Sequence, residues 1–548
     1  MKTGRHIIFG CALFSVLAVG CKNDLLDTKP LDLVSDAAVF QDIAFARAYL
    51  NETYDGVPSG FERGFYMLSA ATDEAEMGYP WPYSQNWNQG DFSPTNVPKF
   101  AAPWDGGAPT DWERSYNFIR RANDIIAKID AVPVSTEADE ADKKGIKAEA
   151  YFLRALFYHG LVKLYGGVPI VEKAQTLEDS DALFSPRNTL EECVTFIVAD
   201  LDRAAAILPD RRTGRDVGRA TKVAALALKG RQLLYAERWN ESAAASLQAK
   251  SVAGYALFPN YEQLFWAANN NNSEVVFARQ YLSNADFRTH PGNQFNSVPT
   301  KGGWGGTQPT QNIVDEYEMI DGMDYKTSPL YNPADPYTNR DPRFKASILH
   351  DKSFWIDETL DLSDGAFQGV NGKSNDATKT GYYLRKFMDP AIIASNNNNG
   401  YNNWNLIRLA EVLLNYAEAK NEATGPDATV YDAVNVVRSR PSVKMPPLPA
   451  DLTKEQMRER IRHERTIELA FEEHRFFDLR RWKDGGGQYL ANTVLNRPVY
   501  GMLVNPARTT YTKFKKEDRV YQAKHRLLPI AQSEIVKYGG KLEQNPGW

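Results

Sequence analysis

Between Asn269 and Trp404 the chain gives up helical periodicity. Asn, Gly, Pro, Asp and aromatic residues dominate there, broken by short apolar runs such as Glu274-Val275-Val276-Phe277. That texture predicts a loop-rich region with small strands at most, and the run Asn396 to Asn399 predicts an exposed loop. Apolar residues at helical spacing return on both sides of it. A chain of this kind is therefore built from helical blocks around an irregular one, and the helical blocks have to supply most of the core.

The helical blocks can be read in some detail. Phe40, Ala44, Ala48 and Tyr54 fit one amphipathic helix. Trp112, Tyr116, Ile119, Asn123 and Ile126 fit a second, opened by Thr110 or Asp111 as a cap. Ile146, Ala150, Leu153, Phe157, Leu161 and Leu164 make a third that stops at Gly166-Gly167. Thr189-Leu190-Glu191-Glu192 has the form of a capping box ahead of Val194, Ile197, Leu201 and Leu208. Further helices fit Thr221 to Ala236, Glu241 to Gly254, Asn405 to Ala423, Tyr431 to Arg440 and Lys454 to Trp482, with irregular chain from there to Trp548. Paired helices of this size suit tetratricopeptide-like packing, although no clean repeat of ~34 residues aligns, and a plain helical bundle fits the periodicity equally.

Of the 548 residues 43% are hydrophobic, enough for a large core. The 64 basic against 69 acidic residues leave a net charge of -5, so no basic excess exists to hold nucleic acid. Arg458, Arg460, Arg462 and Arg465 alternate with Glu455, Glu459, Glu464 and Glu468, the pattern of a solvated, ion-paired helix face. The cysteines are Cys11, Cys21 and Cys193. Cys193 lies inside a helical pattern and reads as a buried, inert thiol rather than a nucleophile.

The N-terminus carries an export signal. Lys2 and Arg5 precede an apolar run from Ile7 to Val19, too short for a comfortable membrane span and right for a signal-peptide core. Leu17-Ala18-Val19-Gly20-Cys21 resembles the lipobox of bacterial lipoproteins, with Ala18 where Leu is usual. Lipidation is expected at Cys21, since two or more acyl chains anchor a protein stably. The chain then divides into a signal peptide (1–20), a lipidated tether (21–35), an N-terminal helical part (36–268), a loop-rich insertion (269–404) and C-terminal helices with an irregular tail (405–548), packed as one unit.

Five ordered motifs carry a family resemblance. They are Trp112-Glu113-Arg114-Ser115-Tyr116; Lys147-Ala148-Glu149-Ala150-Tyr151-Phe152-Leu153-Arg154-Ala155 running to Tyr165-Gly166-Gly167-Val168-Pro169; Arg408-Leu409-Ala410-Glu411-Val412-Leu413-Leu414; Glu468-Leu469-Ala470-Phe471 with Arg475-Phe476-Phe477-Asp478-Leu479-Arg480-Arg481-Trp482; and Gln544-Asn545-Pro546-Gly547-Trp548. Together they resemble the SusD/RagB family over nearly the whole mature chain. The resemblance implies a mainly α fold, with a tetratricopeptide-like helical body and an irregular loop-rich subdomain. It also implies a surface-exposed, lipid-anchored outer-membrane protein that binds glycan over a TonB-dependent barrel of the SusC type. The motif residues read as scaffold, with Arg475, Asp478, Arg480 and Glu468 expected to pair with one another.

No reactive constellation stands out. His463-Glu464 has Ile467 where a zinc-protease motif needs a second His, Gly372-Lys373-Ser374 has Phe367 where a phosphate loop needs Gly, and no nucleophile elbow or metal-spaced Cys pair occurs. No catalytic residue, metal or cofactor is expected. Asp73, Glu74 and Glu76 form a local acidic cluster, so a glycoside hydrolase remains the rival class, with a peptide-binding lid of the same transporter type as another alternative. Glycan binding asks for flat aromatic faces beside polar groups that reach sugar hydroxyls. Trp81, Tyr83, Trp87, Asn88, Trp304 and Asp73 are the candidates, on a Pro-rich loop around Trp81 and a Gly-rich one around Trp304.

Overall fold

The structure is a computed structural model that describes residues 40–63, 67–79, 82–98, 111–175, 184–283, 289–395 and 399–548, with backbone alone for 82–85. The signal segment, Cys21, the tether, Trp81 and Asn396 to Asn398 lie outside the described residues. The N-terminal half contains α1 (Ile43–Thr53), α2 (Pro82–Gln89), α3 (Asp111–Lys128), α4 (Glu137–Tyr165), α5 (Leu190–Ile207), α6 (Lys222–Tyr235) and α7 (Trp239–Lys250). The C-terminal part contains α8 (Leu409–Thr424), α9 (Ala428–Arg438), α10 (Lys454–Glu468) and α11 (His474–Arg481). From α3 onward each long helix packs on the next, and α7 then packs on α8, which also touches α9 and α10. This is the side-by-side stacking of tetratricopeptide-like helices, carried across the irregular region.

Local chemistry explains the ends of these helices. Thr189 caps α5 in a full capping box with Glu192, and Thr453 does the same for α10 with Gln456. Gly166 closes α4 at φ 76°, a left-handed conformation that costs glycine little. The second half of α4 is buried almost all round. Phe152, Leu153, Tyr158 and Leu161 are fully enclosed, and each such side chain contributes about 1.5–3 kcal/mol. Cys193 is buried, and burial pushes its thiol up, which keeps it protonated.

Ten short strands, β1 (Ala75–Met77), β2 (Val275–Arg279), β3 (Thr307–Pro309), β4 (Ile348–Leu349), β5 (Phe354–Trp355), β6 (Glu358–Thr359), β7 (Tyr383–Leu384), β8 (Trp404–Arg408), β9 (Val499–Val504) and β10 (Tyr511–Glu517), form five antiparallel two-stranded sheets among the described residues. Three segments differ from expectation. Trp404–Arg408 is strand β8, paired with β2, and the helix begins only at Leu409. Lys454 to Trp482 is two helices, because Phe471 and Glu473 take positive φ between α10 and α11. The tail beyond Trp482 is not all irregular, since β9 and β10 pair as a hairpin.

The largest correction concerns charge. Glu464, Arg465 and Glu468 on α10 are buried, not solvated. Glu468 accepts from Arg343 (3.0 Å), Arg408 (2.7 Å) and Arg440 (2.6 Å), and Glu464 accepts from Arg343 (2.5 Å) and Arg438 (2.8 Å). Arg408 and Lys386 share Glu472, and Arg408 and Arg440 share Glu274. Burial alone would raise the Glu468 carboxyl, but Arg440, Arg408 and Arg343 outweigh it and hold it well below the usual range. Arg475, Asp478, Arg480 and Glu468 do not pair with one another either. Arg475 forks onto Asp73, and Asp478 receives Arg465 and Arg481. Arg480 donates to the carbonyls of Phe476 and His525 and finds no carboxylate among the described residues.

Candidate functional site

Strand β1 pairs with β3, Met77 opposite Thr307, and Gly78 N–H continues the ladder to Gly306 O at 2.8 Å. This small sheet brings together two chain segments that are remote in sequence, the one leaving Tyr79 and the one holding Trp304. The Gly302–Gly306 turn is stitched to the segment before it: Gly303 N–H donates to Val298 O (3.0 Å), Trp304 to Gln294 O (2.8 Å) and Gly305 to Ser297 O (3.0 Å). Only glycine permits this approach at 303, because a Cβ there would lie 2.1 Å from Ser297 O. Trp304 is thus set on a rigid turn. Its ring lies 5.3 Å from that of Phe295, and it stays partly exposed.

Polar groups surround it. Tyr79 Oη lies 2.5 Å from Asp376 Oδ1 and 2.7 Å from Trp304 O. Burial, then the bond to Asp376, push the Tyr79 phenol far up, so it stays a donor at any physiological pH. Gly305 faces Tyr383, whose hydroxyl donates to Gln368 O at 2.8 Å. Thr300 reaches Glu358 and Gln368, and Lys301 pairs with Asp357, both acids lying on the β5–β6 hairpin. On these same loops Phe354 and Phe367 are 63% and 54% exposed. The result is a loop-built face with apolar flat surfaces beside carboxylate, amide and hydroxyl groups.

The sequence candidates divide at this point. Trp304 is partly exposed among these loops. The chain from Tyr79 leads through Trp81 to Tyr83, which stands in the first turn of α2, so this segment is not wholly the loop that its prolines suggested. Trp87 and Asn88 also lie on α2 and are buried. Trp87 packs 5.1 Å from Phe92 and 5.3 Å from Phe476, which leaves it no face for a ligand. Asn88 is enclosed, with its carbonyl held by Val520 N–H. Asp73 is occupied by the two-pronged bond from Arg475. Glu76 is bound by Arg519, and burial raises enclosed Glu74 to about 8. The acidic cluster is therefore not an open pair of carboxylates. Phe354, Phe367 and Asp376 escaped the sequence reading, because isolated residues in a pattern-free region carry no signal of exposure.

A cleft of about 510 Å³ lies elsewhere, lined by Trp112, Tyr116, Arg120, Lys173, Glu534 and Tyr538. Its aromatics are scaffold: Trp112 is buried, and Tyr116 donates to Pro169 O. Among the described residues no His, Cys, Asp or Glu cluster is arranged to hold a metal, and no helix is long and apolar enough to cross a membrane.

Residues 273–548 match the SusD family model, and residues 29–234 match a second model described as starch-binding associating with outer membrane. The chain belongs to the SusD family. Among its SusD-like relatives of known structure, a SusD-like protein of Bacteroides fragilis is 30% identical and superposes with a TM-score of 0.80, over 95% of this chain and 100% of that one. A SusD-like carbohydrate binding protein of the same species is 25% identical, with a TM-score of 0.78 over 92% of this chain and 99% of the other. SusD-like protein P2 of Formosa agariphila is 25% identical over 97% of both chains.

Proposed function

We propose that this SusD-family chain is a lipid-anchored, surface-exposed outer-membrane protein that binds an oligosaccharide or polysaccharide on the loop face around Trp304. It then delivers the glycan to a TonB-dependent barrel of the SusC type. One observation carries the binding reading: a partly exposed Trp304 is locked on a glycine turn and tied through Tyr79 to Asp376. A sugar ring offers a C–H face to the indole and a rim of hydroxyls to the surrounding polar groups. Trp81 and Tyr83, next along the chain from Tyr79, are proposed to complete the aromatic surface.

Magnitudes set the affinity. Two or three stacked rings and a few hydrogen bonds give roughly 4–7 kcal/mol, or about millimolar to ten-micromolar binding. Weak binding suits a protein that must release its ligand onward. A binding protein rather than a glycosidase is favoured by the acidic cluster, whose Asp73 and Glu76 are tied to arginines and whose Glu74 is enclosed. Affinity electrophoresis of the parent and of Trp81→Ala and Trp304→Ala against a panel of polysaccharides tests the reading. Retarded migration of the parent, reduced in both variants, supports it. Equal migration of all three on every retarding glycan defeats it, and loss of oligosaccharide during incubation would favour the hydrolase. For the anchor, Cys21→Ala is expected to move the protein from the membrane to the soluble fraction. For the partner, mild-detergent pull-down is expected to recover a barrel.

A further inference from the structure

Helices α4, α5, α6 and α11 enclose a cavity of about 100 Å³ whose lining includes Lys163, Arg480, Arg481 and Arg526 and no carboxylate. Arg481 is satisfied from outside by Glu418 and Asp478. The other three have no Asp or Glu within ion-pair distance among the described residues. Arg480 is 7% exposed; its guanidinium lies 3.5 Å from the Phe476 ring centre and donates only to backbone carbonyls. Lys163 Nζ stands 4.2 Å over the Phe477 ring, and Arg526 lies 4.8 Å from the ring of Tyr489. Glu473 and Asp111 act on Lys163 from beyond ion-pair distance, and Glu473 is already forked by Arg63.

A neutral donor joins the cations. Gln232 is 2% exposed and lines the cavity; its Oε1 is held by His159 Nδ1 at 2.7 Å, and its Nε2 donates to nothing among the described residues. The contrast with the Glu468 network is direct. There every buried guanidinium has a carboxylate, because an uncompensated buried charge is costly. Here only Arg480 is buried, Lys163 and Arg526 are half-buried, and the cavity that all three line offers none of them a carboxylate.

We propose that this cavity is a binding site for one small oxyanion of the sulfate or phosphate class. Size and charge both point there. The space of about 100 Å³ is roomy enough for a tetrahedral oxyanion. Burial lowers the Lys163 ammonium to about 7, and an anion beside it would hold it charged; with the two guanidiniums it then favours a dianion over a monoanion, and guanidinium forks match its oxygen geometry. Leu190, partly exposed, stands at its edge and gives the anion a route from solvent. The site is separate from the Trp304 face and does not depend on the glycan reading.

The test uses the full-length protein in detergent. Isothermal titration with sodium phosphate, sulfate or acetate is run at fixed ionic strength set with chloride. Saturable binding of phosphate or sulfate at one site, at least tenfold tighter than acetate, is expected. Arg526→Gln and Lys163→Gln, each confirmed folded by circular dichroism, are expected to weaken it tenfold or more. Trp304→Ala is expected to leave it unchanged. As a second readout, millimolar phosphate raises the melting temperature of the parent but not of Arg526→Gln. Absence of saturable binding to the parent, or equal binding by the parent and both variants, overturns the proposal, and acetate binding as tight as phosphate overturns the dianion assignment.

Discussion

Two regions of this molecule treat polar side chains in opposite ways. Beneath α10, charged groups are fully buried and each is matched: Glu468 alone serves three arginines. On the loop face, Asp376, Glu358 and Thr300 remain near solvent beside the partly exposed Trp304 and the exposed Phe354 and Phe367. The recognisable family motifs lie in the helical body and the tail, two of them entering the first region through Arg408 and Glu468, and none holds a residue named on the loop face. What identifies the chain is therefore its scaffold, and what would select a ligand lies in loops with no pattern of their own. A common fold held by internal charge pairs leaves its outer loops free to differ.

Substitutions can break or sharpen that contrast. The largest effect is expected from Glu468→Gln, which leaves Arg343, Arg408 and Arg440 short of one negative charge in a closed space. A loss of about 3–5 kcal/mol, read by urea denaturation, is the expected outcome; a loss under ~1 kcal/mol would mean that water compensates the arginines and that the region is not dry. Next comes Trp87→Ala. Because Trp87 packs between Phe92 and Phe476, it should cost about 3–5 kcal/mol of stability while the folded fraction keeps its glycan affinity. An affinity loss with unchanged stability would return Trp87 to the binding face.

The third test concerns pH. Burial raises Glu74 to about 8 from an ordinary 4.5, so the folded state holds a proton that the unfolded state has released. Its contribution is fully present below pH 4.5 and is lost as pH rises to 8, with a slope of at most about 1.4 kcal/mol per pH unit. Glu74→Gln should flatten that slope in melts between pH 5 and 8.5, and an unchanged slope would assign it to another group. Trp304→Ala follows, with about a tenfold loss of glycan affinity, ~1.4 kcal/mol, and little change in stability. The smallest effect is expected from Phe367→Ala, about two- to threefold in affinity by calorimetry, since an exposed ring at the margin stacks on only part of a sugar. A Phe367 effect larger than that of Trp304 would move the centre of the site.

The sequence by itself determined most of the long helices and their order, because helical periodicity and capping rest on interactions within four residues along the chain. The apolar spacing of α4, the capping box at Thr189 and the stop at Gly166 were all legible. It also marked Trp304 as unusual, since glycines on both sides leave little local chain to cover it. Only the tertiary structure decided which side chains are inside. Trp87 and Trp304 are alike as residues in polar stretches, yet one is enclosed by Phe476 from nearly the far end of the chain. The partners of Glu468 lie 28, 60 and 125 residues away, so a run of alternating Arg and Glu that reads locally as a solvated face becomes a buried crossroads from Glu464 onward, while Glu455 and Glu459 stay exposed. Tyr79 and Trp304, 225 residues apart, meet because β1 pairs with β3, and two strands of three residues each are too short to announce their partner in sequence. Periodicity is a local property of the chain, whereas burial and charge pairing depend on what the rest of the fold brings alongside.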